Sequence, residues 1–527
     1  MMKEKQKVRR MGSTKWDIAI ISASILTMNV KQPQAQAIGI MGDKIMVVGK
    51  NQDIEPGIGP QTRVFNLRGA TVLPGFIDNH THFLHTGLSL ISLNLTDTEE
   101  IPQILGRVKE AANFQPVGTL IRGYGYDEQM LSAKRPPTRV ELDAVAPDHL
   151  VWLNRVDYHS SVVNTKMLDL LELPESTAGL ERDEKNVTTG VLRQEADLAA
   201  RSFIAKRLDG AARLKALEKA SLFAISEGIT TVAALEGGED FGAEEVKLLF
   251  REKENLDLRI EVFYQTTDVD EVLELGLSRI GGCILLDGSF GSRTAALSKS
   301  YADDPCNTGV LYFSQQELND FIARAHQEGL QIAVHAIGER AIEQILRAHE
   351  LAQKQFPRPN LRHRIEHFEL PTKNQINRAK RLKLIASMQP SFEFYWGGIE
   401  QLYGKRLGEE RVNRTNPLRE ILDKGLVIAG GSDASVTPMN PMYGIHSAVN
   451  HPNPMQQTSL VEALHMFTIN GAYALGIEQE RGSIEVGKLA DLVALEENPM
   501  RVAPQRIKDI EVKMTIIAGR LVYPNQT

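Results

Sequence analysis

Two histidines, His80 and His82, stand one residue apart at the end of an apolar run, in the segment Leu73-Pro-Gly-Phe-Ile-Asp-Asn-His-Thr-His-Phe. Alternate side chains of an extended segment lie on the same face, so both imidazoles are expected to point the same way. Two imidazoles at this spacing can bind one divalent metal ion. For this pair alone the alternative is two solvated rings, or rings that cap a turn.

Three further polar residues follow later apolar runs in the same manner. His335 ends Gln331-Ile-Ala-Val-His, His367 ends Arg364-Ile-Glu-His, and Asp433 follows Val427-Ile-Ala-Gly-Gly-Ser. Each of the three taken singly is more simply a hydrogen-bonded polar residue. If every run is a strand of one parallel barrel, however, all five side chains lie at its carboxyl rim, where barrel enzymes build their active sites. Together they predict a divalent metal centre.

The elements that must position these residues form a regular series. Short apolar runs alternate with helical stretches such as Ser314–Glu328 and Glu339–Lys354, which is typical of strand–helix units around a parallel sheet. Eight such runs predict an α/β fold with a (β/α)8 TIM barrel. The predicted strands are Gly75–Asp78, Thr230–Ala234, Arg259–Tyr264, Cys283–Asp287, Gln331–His335, His363–His367, Leu384–Met388 and Val427–Gly431.

The two ends of the chain and one long interval do not fit this series. Val- and Ile-rich runs occur before residue 75 and again after residue 490, which predicts a small composite β-sandwich from residues 1–75 and 478–527. The interval between the first two predicted barrel strands is too long for one crossover connection. We therefore predict an α/β insertion over the barrel mouth at residues 96–210, with the barrel formed by residues 76–95 and 211–477.

Composition narrows the classes of protein and partner. The 527 residues include 60 basic and 67 acidic ones, for a net charge of −7, which argues against a nucleic-acid partner or an anionic membrane surface. No apolar run reaches the roughly 18 residues that a membrane helix needs. The two cysteines, Cys283 and Cys306, exclude a disulfide framework. We expect a small-molecule substrate, and a homodimer is left open.

The start of the chain resembles a secretory signal, with a basic stretch, the apolar run Ile18–Met28 and a small-residue site at Ala35-Gln-Ala. Polar residues interrupt that run, however, and a second predicted strand from Ala37 pairs back with it through the Gly42-Asp43 turn. Cleavage would remove the partner strand. We therefore expect a retained strand and a cytoplasmic protein.

The chain resembles the amidohydrolase superfamily of metal-dependent hydrolases. The resemblance rests on His80-x-His82 after Pro-Gly-Phe-Ile-Asp and on the later His335, His367 and Asp433. Four segments are similar to its amidohydrolase family 3 branch, which includes the YtcJ-like proteins and N-substituted formamide deformylase. They are Asp287-Gly-Ser-Phe-Gly-Ser-Arg-Thr, Val334-His-Ala-Ile-Gly-Glu-Arg, Arg362-His-Arg-Ile-Glu-His-Phe and Gly431-Ser-Asp-Ala. The resemblance implies the same fold and a divalent metal, zinc above all, as one or two ions.

The chain departs from that pattern at one position. Members of the branch usually carry a lysine four residues before Asp-Gly-Ser, and in binuclear relatives a carboxylated lysine bridges two metals; here the residue is Cys283. A thiolate cannot form a carbamate but is a good zinc ligand, so Cys283 either coordinates metal or is a small buried apolar residue beside a single ion. Glu195 is a reserve carboxylate ligand if the insertion covers the mouth.

Further residues are predicted to surround the centre. His159 lies in a segment of the insertion that resembles the family, and it either contacts substrate or caps a loop. Asp287 and Arg293 either orient substrate or brace the rim. Glu366, Glu339 and Arg364 are expected to support the site without taking part in the chemistry.

The predicted reaction is hydrolysis of a non-peptide carbon–nitrogen bond, in an amide or an N-substituted formamide, by a metal-activated water. Asp433 is the predicted catalytic acid–base: a carboxylate beside a metal is expected to take the proton of the water and pass it to the leaving nitrogen. One alternative is cyclic amide or amidine hydrolysis, or deamination, on the same scaffold. Another is a catalytically quiet binding or regulatory protein, against which the complete set of five predicted ligands argues.

Overall fold

A computed structural model describes residues 15–128, 130–156, 160–238 and 242–524. It is an α/β molecule whose central element is an eight-stranded parallel sheet, as predicted. A second sheet is built from the N-terminal part of the chain, a third from both ends, and a fourth lies between the first and second barrel strands in sequence. None of the described helices is long and apolar enough to cross a bilayer.

The eight barrel strands pair in chain order, each parallel to the next. They are β1 (Phe76–Thr81), β2 (Ile229–Gly237), β3 (Arg259–Gln265), β4 (Arg279–Ile280), β5 (Gln331–Ala336), β6 (Arg364–His367), β7 (Ile385–Met388) and β8 (Val427–Gly430). The ring closes just beyond β8, where Thr81 and Ala434 form a parallel bridge and the Asp433 amide donates to the carbonyl of His80 at 2.8 Å. The prediction of a TIM barrel is confirmed.

The fourth strand is the one whose predicted bounds are wrong. The apolar run Cys283–Asp287 suggested a strand, but the strand is Arg279–Ile280, and Leu285 makes a single bridge to His335. Gly281 and Gly282 end it with φ angles of 94° and 59°, in the left-handed region that favours glycine. A Cβ on Gly281 would lie 2.2 Å from the carbonyl oxygen of Ala333. The backbone therefore turns before Cys283.

Helices surround the barrel, and their apolar faces pack on the outward side chains of the strands. Helix Gln315–Glu328 shows how such a helix is bounded: Ser314 and Glu317 form a capping box at its start, and Gly329 ends it in the left-handed conformation. Apart from the helices of the insertion, the described α-helices after β1 are Phe83–Leu90, Gly210–Ser226, Ala243–Glu252, Val269–Glu274, Gln315–Glu328, Glu339–Gln355, Lys373–Arg381, Ser391–Trp396, Leu402–Leu407, Glu409–Val412, Leu418–Asp423, Pro441–Val449, Leu460–Met466 and Ile469–Leu475.

Both ends of the chain build the sandwich. The four-stranded sheet has the order Lys44–Gly49, Ala37–Met41, Ile18–Ile21, Arg63–Asn66. The six-stranded sheet has the order Arg520–Tyr523, Val512–Ile517, Leu492–Leu495, Thr71–Pro74, Ser24–Leu26, Gln34–Ala35. Buried apolar side chains from both sheets form one cluster, to which Ile20, Ile38, Val72 and Ile516 belong. The strand that starts at Ile18 pairs antiparallel with the one that starts at Ala37, so the predicted pairing is confirmed. The Gly42-Asp43 turn, however, joins Ala37–Met41 to Lys44–Gly49 and not to the first strand, so its predicted role is wrong. The compartment stays a prediction.

The predicted insertion contains its own sheet and helices. The sheet has the order Leu180–Arg182, Thr188–Arg193, Ser160–Val163, Leu150–Arg155, Leu120–Tyr126, Leu93–Asn94. Its helices are Ile101–Phe114, Arg139–Val145, Thr165–Leu171 and Gln194–Arg207. Because strand Leu93–Asn94 precedes residue 96, the sheet begins slightly earlier in sequence than the predicted insertion. The division of the chain into domains stays a prediction.

Candidate active site

The carboxyl end of β1 carries His80 and His82, and each ring has one nitrogen committed to a supporting hydrogen bond. His80 is fully buried, and its Nδ1–H donates to Oε2 of Glu366 at 2.7 Å. His82 donates from Nδ1 to the carbonyl oxygen of Leu235 at 3.2 Å. A hydrogen bond at Nδ1 fixes the tautomer and leaves the Nε2 lone pair free for another ligand. Both histidines are therefore arranged to coordinate through Nε2.

Asp433 meets these two nitrogens. Its Oδ1 lies 3.3 Å from Nε2 of His80 and 3.2 Å from Nε2 of His82. The residue follows β8 with φ 56°, and Gly431 before it passes so close to His80 that a Cβ there would lie 2.6 Å from the His80 amide nitrogen. The end of β8 thus brings the Asp433 carboxylate against His80 and His82. The ligand atoms of these three residues lie within 4.8 Å of one another.

Cys283 lies among the other predicted ligands. Its Sγ is 3.8 Å from Nδ1 of His335 and 3.8 Å from Nε2 of His367. The thiol is 6 % exposed and belongs to the interior cluster of the barrel with Phe263. A second group of ligand atoms within 4.8 Å of one another comprises His80, Cys283 and His367. His335 touches Cys283 but is in neither group.

The electrostatics of this cluster favour a cation. Burial raises the pKa of the Cys283 thiol, but the surrounding imidazoles of His335, His367, His80 and His82 outweigh it and hold that pKa well below its usual value. Burial likewise raises the pKa of Asp433, but the neighbouring rings of His80 and His82 outweigh burial and hold that pKa well below its ordinary value. Burial alone would lower the pKa of His82, yet Asp433 and Cys283 raise it to about 10. Two anions therefore share one buried site.

The donor chemistry fits a divalent metal. In the part of the chain that the structure describes, His80 Nε2, His367 Nδ1 and Asp433 Oδ1 are buried without a hydrogen-bond partner. Buried polar atoms seldom remain unsatisfied unless a ligand, an ion or water completes them. Imidazole, thiolate and carboxylate are the groups that bind transition metals in proteins. The site therefore has the donor set to hold a divalent cation.

A buried ion pair supports His80 from behind. Arg364 and Glu366 are both fully buried, and the guanidinium donates from Nε to Oε1 at 2.7 Å and from Nη2 to Oε2 at 2.8 Å. The same Nη2 donates to Oγ of Ser387 at 2.9 Å. The Arg364 guanidinium thereby holds the Glu366 carboxylate against the His80 ring. Burial raises the pKa of Glu366, but the charges of Arg364 and His80 outweigh burial, so that pKa lies below its usual value. This agrees with the supporting role expected of both residues.

Two carboxylates near the centre were missed by sequence reasoning. Asp78 accepts from the backbone amides of His80 at 3.2 Å and Ser432 at 2.9 Å, and burial raises its pKa to about 6. Glu236 lies one residue before the end of β2, accepts from the Leu84 amide at 3.0 Å, and has its pKa raised to about 7 by burial. The signal was available for Glu236, because a carboxylate near the end of a barrel strand follows the same pattern as the predicted ligands.

The remaining predicted residues lie apart from the two groups. Asp287 is fully buried and accepts from the amides of Ala296, Ile337 and Gly338 at 2.7, 3.0 and 2.8 Å, so it braces the rim. Arg293 pairs with Asp303 at 2.9 Å. Glu195 is exposed on its helix and belongs to neither group, so the structure does not support it as a reserve ligand. His159 lies outside the described residues.

The insertion touches the rim beside Asp433. The hydroxyl of Tyr124 donates to the carbonyl oxygen of Ser435 at 2.7 Å. On the opposite side, the ring of Phe392 stacks on His367 with centroids 5.8 Å apart. Aromatic side chains from the insertion and from the barrel thus border the cluster.

A parallel barrel with imidazole, thiolate and carboxylate donors at its carboxyl rim has the architecture of a metal-dependent hydrolase. A model of the amidohydrolase family matches residues 63–523, and the chain belongs to this family. The resemblance drawn from the motifs is confirmed.

Similar proteins agree with this assignment. The YtcJ amidohydrolase of Bacillus subtilis is 28 % identical, over 95 % of this chain and 98 % of the relative. N-substituted formamide deformylase of Arthrobacter pascens is 27 % identical, over 96 % and 98 %. The crystal structure of a metal-dependent hydrolase from Pyrococcus furiosus is 29 % identical with a TM-score of 0.76, over 92 % of this chain and 100 % of that one. The chain is therefore an amidohydrolase-family metal-dependent hydrolase.

Proposed function

We propose that this hydrolase cleaves a non-peptide carbon–nitrogen bond, in an amide or an N-substituted formamide. The observation that carries the proposal is the placement of Asp433 Oδ1 between the Nε2 atoms of His80 and His82, at 3.3 and 3.2 Å. A carboxylate so placed can accept a proton from water beside a metal and donate it to a leaving amine. The name of the formamide deformylase relative supports the choice of bond.

The proposed cofactor is zinc. The residues that would hold one or two ions are His80, His82, Cys283, His335, His367 and Asp433. Imidazole nitrogen and thiolate sulfur are the common zinc ligands, whereas magnesium and calcium prefer oxygen. When bound, such an ion supplies a Lewis acid that acidifies water and polarises a carbonyl oxygen.

The chain's own residues supply orientation and proton transfer. Glu366 holds the Nδ1 proton of His80, so Nε2 of that ring stays directed at Asp433. Asp433 holds the transferred proton at a carboxylate oxygen before it reaches the departing nitrogen. The contact of Tyr124 with Ser435 places the insertion beside this step, where it can exclude bulk water. No serine or cysteine nucleophile is required.

The test is an activity screen with two aspartate variants. Asp433→Asn keeps the shape and removes the acid–base, so we expect turnover of formamides and small amides to fall by about 10²-fold or more while bound metal is largely retained. Asp320→Asn, on the exposed face of helix Gln315–Glu328, is the matched control and should keep the parental rate.

Three outcomes contradict the proposal. Parental turnover by Asp433→Asn would remove the acid–base assignment. Turnover of cyclic imides or aminated heterocycles, with none of formamides or open-chain amides, would favour the cyclic hydrolase or deaminase alternative. A purified protein that contains no transition metal and turns over none of these compounds would favour a binding protein.

A further inference from the structure

A cavity lies between the barrel and the insertion. Its volume is about 50 Å³, enough for a few water molecules or one small polar group. The residues at its wall come from helix Phe83–Leu90, from two strands of the insertion and from helix Gln194–Arg207. Helix Phe83–Leu90 follows His82 directly, so one wall of the cavity belongs to the helix that starts at a predicted metal ligand.

Four side chains of the insertion sheet form one wall of this cavity. Strand Leu120–Tyr126 pairs parallel with strand Leu150–Arg155, in a register that sets Arg122 opposite Trp152 and Tyr124 opposite Asn154. Residues two apart on a strand face the same side, so these four line the same face of the sheet. Tyr124 at the edge of the group reaches the loop that carries Asp433, through its hydrogen bond to Ser435.

Arg122 is the unusual member of this group. Within the residues that the structure describes, its guanidinium takes part in no hydrogen bond and no ion pair. Burial lowers its pKa, and no carboxylate stands among the residues of the cavity wall to offset the charge. The other guanidinium of the cavity, that of Arg201, pairs with Asp197 at 3.1 Å. Arg122 is therefore a largely buried positive charge that lacks a counter-ion among the residues that the structure describes.

Two neighbours of Arg122 also offer unused donors. The indole Nε1–H of Trp152 is buried without a hydrogen-bond partner in the described chain, and so is the side-chain amide of Asn154, a residue that is 1 % exposed. Burying a charged or polar group without a partner costs free energy, so three such groups at one cavity are expected only where a ligand completes them. Guanidinium, indole N–H and amide N–H together form a set of donors that suits an anion.

We propose that this cavity binds a carboxylate of the substrate, so that the hydrolase acts on small amides that also carry an acidic group. A guanidinium matches a planar carboxylate with two parallel hydrogen bonds, which gives orientation as well as affinity. The anionic end would be held under the insertion while the amide lies at the metal centre. This inference rests on the proposed function, because it names the substrate class of the same site.

The first experiment compares two substrates that differ in one group. N-formylglycine carries the carboxylate and N-formylglycinamide replaces it with a neutral amide. We expect the metal-loaded parent to prefer the acid by about ten- to a hundredfold in kcat/KM, mainly through KM, because a hydrogen-bonded charge contributes on that scale. Arg122→Met should remove the preference, and Arg122→Lys should restore part of it. Arg251→Met, at an exposed arginine on the outer surface, is the matched control.

The second experiment needs no turnover. Binding of propionate and of propionamide to the metal-loaded protein is measured by calorimetry, in the parent and in the same variants. Propionate should bind the parent at least about tenfold more tightly than it binds Arg122→Met, and propionamide should bind both equally. A carboxylate that bound to the metal alone would bind both proteins equally. Because Arg122→Met removes an uncompensated buried charge, its Tm should equal or exceed that of the parent.

The outcomes separate this inference from the proposed function. Hydrolysis of both formyl compounds with equal kcat/KM leaves the function standing and overturns the carboxylate site. Failure to hydrolyse either compound, with propionate binding that still depends on Arg122, leaves the carboxylate site standing and counts against the proposed bond. Equal propionate affinity in the parent and in Arg122→Met overturns the inference whatever is hydrolysed.

Discussion

Cys283 and Asp433 supply the negative charge of the candidate centre, from opposite sides of the barrel. Sγ of Cys283 lies 3.8 Å from nitrogens of His335 and His367, and Oδ1 of Asp433 lies 3.2 and 3.3 Å from nitrogens of His82 and His80. These anions raise the pKa values of His80 and His82 against the effect of burial and so favour the protonated rings when no metal is bound. A divalent cation would replace those protons, so metal binding and proton release are coupled.

The role of the thiolate can be tested with the two cysteines of the chain. Cys283→Ser removes a soft ligand, so we expect zinc affinity at least about tenfold weaker, measured by competition with a chelator. Cys306→Ser is the matched control, because that cysteine is exposed and far from the barrel interior, and its zinc affinity should equal that of the parent. Equal zinc affinity in Cys283→Ser and the parent would leave Cys283 as an apolar packing residue.

At the scale of single residues, the sequence alone indicated which residues are candidate metal ligands. It did not indicate which side chains they contact in the folded protein. The spacing of His80, His82 and Asp433 follows from strand periodicity and barrel topology, both of which are visible in sequence. The unpaired state of Arg122 is not visible in this way, because it depends on which side chains fail to approach it in space. A missing counter-ion is a property of the folded molecule.

Among the elements, the strand before Cys283 decides whether that side chain reaches the histidines. A continuous strand over Cys283–Asp287 would have set Cys283 in a regular ladder, whereas two left-handed glycines end the strand at Ile280 and let the chain turn first. The apolar character of the run suggested a strand, but the preceding Gly281-Gly282 pair is a turn signal that should have moved its boundary. The other seven barrel strands were predicted within a few residues because their apolar runs end in turn residues.

A histidine cluster joins two outer helices to the start of β6. His326 donates from Nε2 to the carbonyl oxygen of Phe356 at 2.8 Å and accepts at Nδ1 from Nε2 of His363 at 2.8 Å, while Nδ1 of His363 accepts from the amide of Ile332 at 3.0 Å. The ring of His349 stacks on His363 with centroids 4.9 Å apart. This chain of hydrogen bonds requires neutral imidazoles.

The cluster predicts acid sensitivity. Burial, followed by the charge at His326, lowers the pKa of His349 to about 3, below the ordinary value of 6.5. Above pH 6.5 the residue is neutral in the folded and the unfolded chain. As the pH falls from 6.5 towards 3, only the unfolded chain takes up the proton, so the free energy of unfolding decreases by up to about 1.4 kcal/mol per pH unit for this residue.

His349→Phe keeps a ring against His363 and removes one titration. We expect the loss of stability between pH 7 and pH 5 to be smaller in this variant than in the parent, measured from urea unfolding at both pH values. Equal losses in the two proteins would show that His349 does not contribute to acid sensitivity.

For the whole molecule, the alternation of apolar runs with helical stretches was sufficient to predict the barrel, and the β-rich ends were sufficient to predict the sandwich. These features are periodic, and periodicity is what sequence shows best. The position of the insertion against the rim could be expected from its place in the chain, but its cavity could not. That cavity depends on the register between strands Leu120–Tyr126 and Leu150–Arg155, which only the folded sheet defines.

The metal centre assembled at the carboxyl ends of β1, β4, β5, β6 and β8 is the claim on which the whole account depends. The most direct measurement is diffraction from crystals of the zinc-loaded protein on both sides of the zinc absorption edge. We predict an anomalous peak about 2.0–2.3 Å from Nε2 of His80 and His82, from Asp433 and, for the thiolate, from Cys283. Zinc bound elsewhere, or no peak while His80, His82 and Asp433 lie apart, would contradict it.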